Sequence, residues 1–426
     1  MVIKTDKIKY GNLKLLVVLY VLFLTSFSLV IKDLYVFLKA SETAGLVYDF
    51  SFLKFCFGSL IVLANIFVLS SVKLKDMLYA VLVLVLVFFV FPSAVLFINV
   101  DGVDMRIFLS QNIFFWSILL IGKIKIKFSS KKTSLRSSKN LLLVVVLVGI
   151  VPFVVLYLPY INLNNLLLRE VYETRAIMAS NISNLYTDYT YSWFSKLIIP
   201  SLLVFGLFRK NKTTVFLGIS SLIFLYLCGA NKAVFAGLIM VLVLYRFDYR
   251  KKMNYLLLFL IGVTLLSLFS SLVFKNNDLM VLTVRRPFLL PGLLDLLYFD
   301  FFDGNNLFWS ESITGSFIEY PYDKPHSYIV GEEYFGKAEW NANNGIISDG
   351  FMNFGMIGVT INAVIVGLYF STLNQLNISG KFFGLIFLFI FSLISSSLTT
   401  VLLTHGGFVL LLLAIFVLKD TRKQML

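Results

Sequence analysis

A chain of 426 residues that is 59% hydrophobic and 14% charged lies far outside the range of soluble domains, in which about a quarter of residues carry charge. Its mean hydropathy of +0.88 comes from long apolar runs near ~20 residues, enough to cross a bilayer as a helix, and not from the short alternating segments of a β-barrel. The formal net charge of +14 would suit nucleic acid by sum alone, but its distribution along the chain excludes that reading.

The first apolar run, 13–31, follows Lys4, Lys7, Lys9 and Lys14. It is too long for a cleavable signal core and lacks a small-residue cleavage site, so a retained signal-anchor helix is expected. Further spans are expected at 50–72, 77–98, 107–122, 140–161, 193–208, 213–230, 233–247, 255–274, 354–373, 382–400 and 402–418. The last two come from one apolar stretch, 382–418, too long for a single helix in a bilayer core of ~30 Å. Thr404-His405-Gly406-Gly407 offers the break. The expected fold is an all-α polytopic membrane protein of about twelve transmembrane helices, one domain over 1–426, with two sizeable loops at 162–192 and 275–353.

The loops alternate in charge. Residues 1–14, 73–76, 123–139, 209–212, 245–254, 374–381 and 419–426 together carry 24 Lys/Arg and four acids, and the opposite set carries 11 Lys/Arg and 19 acids. Lys54 and Lys196, near span ends, are expected to snorkel. Positive charge marks the cytoplasmic side, so both termini are expected inside and 275–353 outside. The basic excess is thus a topology signal, and the cations left over in the outer loops are the ones that call for a role. Cys56 and Cys228 fall within apolar spans and read as packing residues.

In the 162–192 loop, apolar Leu163, Leu167, Val171 and Met178 suggest a short interfacial helix. Arg169 and Glu173 are spaced to pair on it. A salt-bridged surface helix and a headgroup site built on Arg175 and Arg169 are both open, because guanidinium forks suit phosphate oxygens. The turn Cys228-Gly229-Ala230-Asn231-Lys232-Ala233 places Asn231 as a helix cap and Lys232 in the first helical turn. A cation there opposes the helix dipole unless an anion docks beside it.

The 275–353 loop holds eleven of the 23 acids. Arg285 and Arg286 sit at the entry of an apolar segment too interrupted to span, read as a re-entrant or surface-lying helix starting near Pro291. His326 stands in a polar setting, where it is either structural or able to move a proton near neutral pH. Asp101 with Asp104, or Asp300 with Asp303, could hold a divalent cation, but neither pair has an evident third ligand nearby. No metal site is expected.

From Arg285 onward the wording of the chain resembles the Wzy-type O-antigen and capsule repeat-unit polymerases. The similarity lies in Arg286-Pro-Phe-Leu-Leu-Pro-Gly292, Pro325-His326-Ser327-Tyr328-Ile-Val-Gly331 and Asn343-Asn344-Gly-Ile-Ile-Ser348-Asp349-Gly350-Phe-Met-Asn353. The Gly229-Ala230-Asn231-Lys232 turn is similar to a family turn in which Arg is usual; Lys keeps the charge and loses the fork. The resemblance implies a GT-C-like glycosyltransferase of the bacterial inner membrane with large periplasmic loops, joining oligosaccharide repeat units carried on undecaprenyl pyrophosphate. It implies neither a nucleotide sugar nor a metal, and its partners would include a flippase and a chain-length regulator. On that footing Arg175, Arg285 and Arg286, with Lys232 and Arg169, would serve the pyrophosphates of donor and acceptor, Arg285 and Arg286 among the catalytic groups. His326 would be the base, Asp349 would orient it or a sugar hydroxyl, and Tyr328 and Trp340 would stack on sugars. A flippase-type transporter is the alternative in another class, although no internal repeat is visible; an O-antigen ligase is the alternative within the same chemistry.

Overall fold

The computed structural model describes residues 2–34, 47–124, 135–167, 169–182, 184–229 and 232–418. Among these residues the structure is helical, with a single isolated β-bridge between Tyr48 and Val100. The chain divides into two compact units. One comprises Met1–Lys125, Tyr249–Thr372 and Leu393–Leu398; the other comprises Ile126–Asp248, Leu373–Ser392 and Thr399–Leu426.

Nine helices among the described residues are long and apolar enough to cross a membrane. All twelve expected segments are helical, but Met105–Ile121, Lys232–Leu244 and Gly380–Leu393 are short. At 1.5 Å per residue, the 17 residues of Met105–Ile121 and the 13 of Lys232–Leu244 extend about 26 and about 20 Å, less than the ~30 Å of a bilayer core. Among the described residues, nine of the about twelve expected spans thus have a helix of full crossing length.

The first unit is built around Asp76–Asn99, whose residues 77–99 are all buried. An almost unbroken apolar sequence suits a helix surrounded by other helices. It packs against Phe52–Ser71, Met105–Ile121 and Tyr249–Val273. A proline inside a helix strikes the carbonyl four residues before it, and a widened π turn relieves that clash. Three of the four π stretches among the described residues lie where this rule puts them. Leu86–Val90 precedes Pro92, Phe194–Ile198 precedes Pro200, and Val281–Leu289 contains Pro287 and precedes Pro291. The fourth, Phe27–Ile31, has no such proline.

The segment expected to begin a helix near Pro291 begins it earlier, at Asp278, and runs to Phe301 through the π stretch. It is not surface-lying. Phe288 packs against Phe23 at 4.9 Å and stacks on Phe88 at 5.1 Å, both near the middles of their spans. Thr283 shares a 2.8 Å hydrogen bond with Ser267. Just beyond the helix, Asp303 meets Arg106 beside the Asn99 end of the central span. The 278–301 helix therefore dips into the bundle.

The 346–375 run contains a sharp reversal. Phe354 (φ −145°, ψ 24°) and Gly355 (φ 59°, ψ −146°) leave the helical region. Asn362 then reaches back to donate to the Ile346 carbonyl at 3.0 Å and to Asp349 at 3.1 Å. In a straight helix residues thirteen apart would lie about 20 Å apart, so 346–353 must fold back on the helix that follows. Gly350 and Gly358 make that approach possible: a Cβ on Gly358 would lie 2.0 Å from the Gly350 carbonyl oxygen. The span expected at 354–373 thus survives as the second arm, and the Ser348-Asp349-Gly350 sequence forms a short helix docked on it.

In the second unit, Phe153 anchors an aromatic cluster with Tyr157, Tyr186, Tyr191 and Phe194. The 382–418 stretch breaks twice, after Leu393 and at 403–406, where Gly406 takes φ 80°. The second break was expected. The first coincides with the serine run 395–397, whose hydroxyls compete with helical backbone bonds; this piece, Leu393–Leu398, belongs to the first unit, where the Leu398 N–H that opens the next helix donates to Asp349.

Because Gly358 sits against backbone, Gly358→Ala should destabilise the detergent-purified protein by about 2 kcal/mol, the usual scale of overpacking. Gly262, with open space around its Cβ position, should tolerate the same change without loss of thermal stability.

Candidate functional site

The sequence candidates divide between the units. Arg285, Arg286, His326, Tyr328, Trp340 and Asp349 belong to the first; Arg169, Arg175 and Lys232 belong to the second.

In the first unit, a cavity of about 400 Å³ is lined on one side by Arg285, Arg286, Leu290, Leu293 and Leu294, and on the other by Phe335, Glu339, Trp340, Asn341 and Ala342. Helical spacing separates the two faces of the 278–301 helix. Val284 and Phe288 point into the packed interior, while Arg285, Arg286 and Leu290 reach the cavity. The opposite wall is fixed to the helix His326–Phe335 and to the 278–301 helix itself. Ala342 N–H donates to the Ser327 carbonyl at 2.9 Å, and the Tyr298 hydroxyl donates to the Ala342 carbonyl at 2.8 Å. Gly331 is required here, since a Cβ would come within 1.9 Å of the Trp340 carbonyl oxygen. Trp340 is 40% exposed, packs on Phe335 at 5.2 Å and has the Lys337 ammonium 4.7 Å above its ring. Two guanidinium groups, one carboxylate, one amide and two aromatic faces thus share one apolar-walled space.

His326 opens the His326–Phe335 helix but does not line the cavity. Its Nδ1 contacts the Glu311 carboxylate, its Nε2 lies 3.2 Å from Asn344 Oδ1, and its ring meets the edge of Tyr298 at 5.8 Å. Asn344 is two residues beyond Ala342, so the strand of chain that walls the cavity also carries the imidazole's partner. Tyr328 is half-buried on the same helix and does not line the cavity. Trp340 is the aromatic candidate that does.

Asp349, 2% exposed, is engaged elsewhere. It accepts from Leu398 N–H at 2.9 Å, Asn362 at 3.1 Å and Asn353 at 3.2 Å. The carboxylate on His326 is Glu311, which no spacing rule singles out because it lies fifteen residues away in an irregular loop. Glu339 and Asn341 carry no sequence signal beyond their proximity to Trp340, and Asn344 stands in the Asn343-Asn344-Gly345 motif without a role assigned to it.

The acid pairs weighed for a cation have partners. Asp303 takes both Arg106 Nη atoms, at 3.0 and 2.9 Å, and Asp104 accepts from Arg106 Nε at 2.5 Å and from its backbone N–H. Asp300 accepts from the Tyr334 hydroxyl at 2.5 Å. Among the described residues no three His, Cys, Asp or Glu side chains converge as metal ligands. Asp295, buried, accepts from Gln111 at 2.7 Å and Ser348 at 2.8 Å, which ties the 278–301 helix to the docked helix 346–353.

In the second unit, the 162–192 loop forms a short 3-10 helix, Leu163–Leu167, and a helix Val171–Asn181. Arg169 precedes that helix, so the four-residue spacing to Glu173 does not fall on helical turns. Glu170 instead accepts from Asn162 and Asn164. Arg175 is exposed on the helix, and its charge acts on Tyr191 and Tyr226. Lys232 is the first residue of Lys232–Leu244, as expected. The expected cap, Asn231, lies outside the described residues.

No family model, no curated protein and no solved structure matches this chain.

The Arg106 guanidinium holds the Asp303 carboxyl below the usual carboxylate range. Such a group adds stability above its ordinary pKa of about 4, and the contribution is lost as pH falls through the depressed value. Thermal unfolding in low salt should therefore show an acid limb below about pH 4 that is shallower in Asp303→Asn, and high salt should shrink the difference between the two proteins.

Proposed function

We propose that this chain is a bacterial O-antigen or capsule polymerase of the inner membrane, a glycosyltransferase with a GT-C-like arrangement. In this reading it joins oligosaccharide repeat units carried on undecaprenyl pyrophosphate at the periplasmic face. The observation that carries the reading is the cavity in which Arg285 and Arg286 face Trp340, Glu339 and Asn341. A diphosphate calls for guanidinium forks, and a sugar calls for an aromatic face with a few hydrogen-bonding groups; both are present within one membrane-embedded unit.

In the reaction proposed, an acceptor hydroxyl oxygen attacks the anomeric carbon of the donor glycan. The new glycosidic C–O bond forms as the bond to pyrophosphate breaks, and undecaprenyl pyrophosphate departs with the bonding electron pair. Arg285 and Arg286 act on the charge that grows on that leaving group, which is where electrostatic help lowers a barrier most. His326 Nε2 accepts the hydroxyl proton, and Glu311 on Nδ1 steadies the imidazolium that results. Nε2 faces Asn344 in this structure, so the step requires the Asn344 amide to turn aside for the sugar hydroxyl. Arg169, Arg175 and Lys232, which belong to the other unit, are proposed as pyrophosphate-binding groups within it. Asp349, by its bonds, supports the fold of the docked helix, and a direct role on sugar would require it to leave those partners.

Deleting the gene should leave single capped repeat units on the surface glycan. Free polymer detached from its core would indicate a ligase, and loss of exported units a flippase. Complementation with His326→Ala should cut polymer formation by about 10²-fold or more, the scale for loss of a general base. Arg285→Ala and Arg286→Ala should shorten or abolish the ladder at wild-type membrane levels. Normal ladders from Arg285→Ala and His326→Ala would overturn the assignment.

A further inference from the structure

The loop 307–318 carries apolar side chains that protein does not cover. Phe317 is 90% exposed, Ile313 61%, Phe308 43% and Ile318 39%. A chain segment of turns that presents four large apolar side chains to water is costly unless something covers it.

Its position says what does. The loop is fastened to the end of the docked helix 346–353 and to Phe354 at the turn into the second arm. Leu307 N–H donates to the Met352 carbonyl at 2.9 Å, Phe308 N–H to the Asn353 carbonyl at 3.2 Å, and Trp309 N–H to Asn353 Oδ1 at 2.7 Å. Phe308 and Trp309 pack edge-on against Phe354, at 5.6 and 4.8 Å. One turn further on, Ile357 is 71% exposed at the beginning of the apolar arm. The apolar surface of the loop thus continues the apolar surface that a membrane span presents to lipid.

Charge fits the same occupant. Between 307 and 318 the only charged side chain is Glu311, and it is held against His326. Aromatic and aliphatic residues beside a span end, with the one carboxylate held against a protein side chain, are what the interface between headgroups and acyl chains accepts.

We infer that the 307–318 loop is seated in the bilayer at this end of the bundle, with Ile313 and Phe317 below the headgroups. The contact is hydrophobic and needs no anionic lipid. This goes beyond the catalytic reading and does not depend on it, although the same loop delivers Glu311 to His326.

The test places an environment-sensitive fluorophore on Phe317→Cys in protein carrying Cys56→Ser, Cys228 being buried. The protein is reconstituted into phosphatidylcholine vesicles, with the same label on Asp323→Cys as an exposed reference. The label at 317 should emit to the blue of that at 323. It should be quenched several-fold more by lipids spin-labelled near the headgroup and less by aqueous iodide. Equal iodide quenching at both positions, with no lipid quenching at 317, would overturn the inference and point to a protein partner on the loop. Because neither readout involves turnover, a failed transferase assay leaves this result standing, and the reverse also holds.

Discussion

A carboxylate inside an apolar bundle must be satisfied by the protein, because no water is there to do it. Asp349 meets that demand with one backbone N–H and two asparagine amides, from Leu398, Asn362 and Asn353. Those bonds pin the docked helix 346–353 to its following arm and fix the start of the helix at Leu398. Ser348, the neighbouring residue, bonds Asp295 and so ties the same short helix to 278–301. The position of Arg285 and Arg286 over the cavity depends on that helix, which makes the buried polar knot the support of the site.

Much of the architecture was legible from composition. Runs such as 77–98 and 255–274 are apolar enough to settle helix and membrane together. The segment 278–301 was harder, because its two arginines and three aspartates break the hydropathy on which span-finding relies. The reversal at Gly355 was not legible either. Its signals, Gly350, Gly355 and Gly358, are ordinary helix-weakening residues until the positive φ and the contact with the Gly350 carbonyl are seen. Hydropathy alone does not show where a helix ends, so the shortness of Met105–Ile121 and Lys232–Leu244 is visible only in the structure.

For the candidate site, residue type carried further than residue role. Cations left over after topology was accounted for led to Arg285 and Arg286, and Trp340 joined them in the cavity. Asp349 and Glu311 show the limit. Both are acids in the same stretch, but only the fold reveals that the first holds backbone while the second meets His326. Sequence distance hides such a pair because the loop between them has no regular period.

The central claim is that the cavity of Arg285 and Arg286 acts on a lipid pyrophosphate as it leaves. The most direct measurement uses purified protein in liposomes with synthetic lipid-linked repeat units, and follows dimer formation together with released undecaprenyl pyrophosphate. The account predicts both products in equal amounts from the native protein, without added nucleotide sugar, and loss of both in Arg285→Ala with Arg286→Ala. No transfer by folded native protein, or undiminished transfer by the double variant, would contradict it.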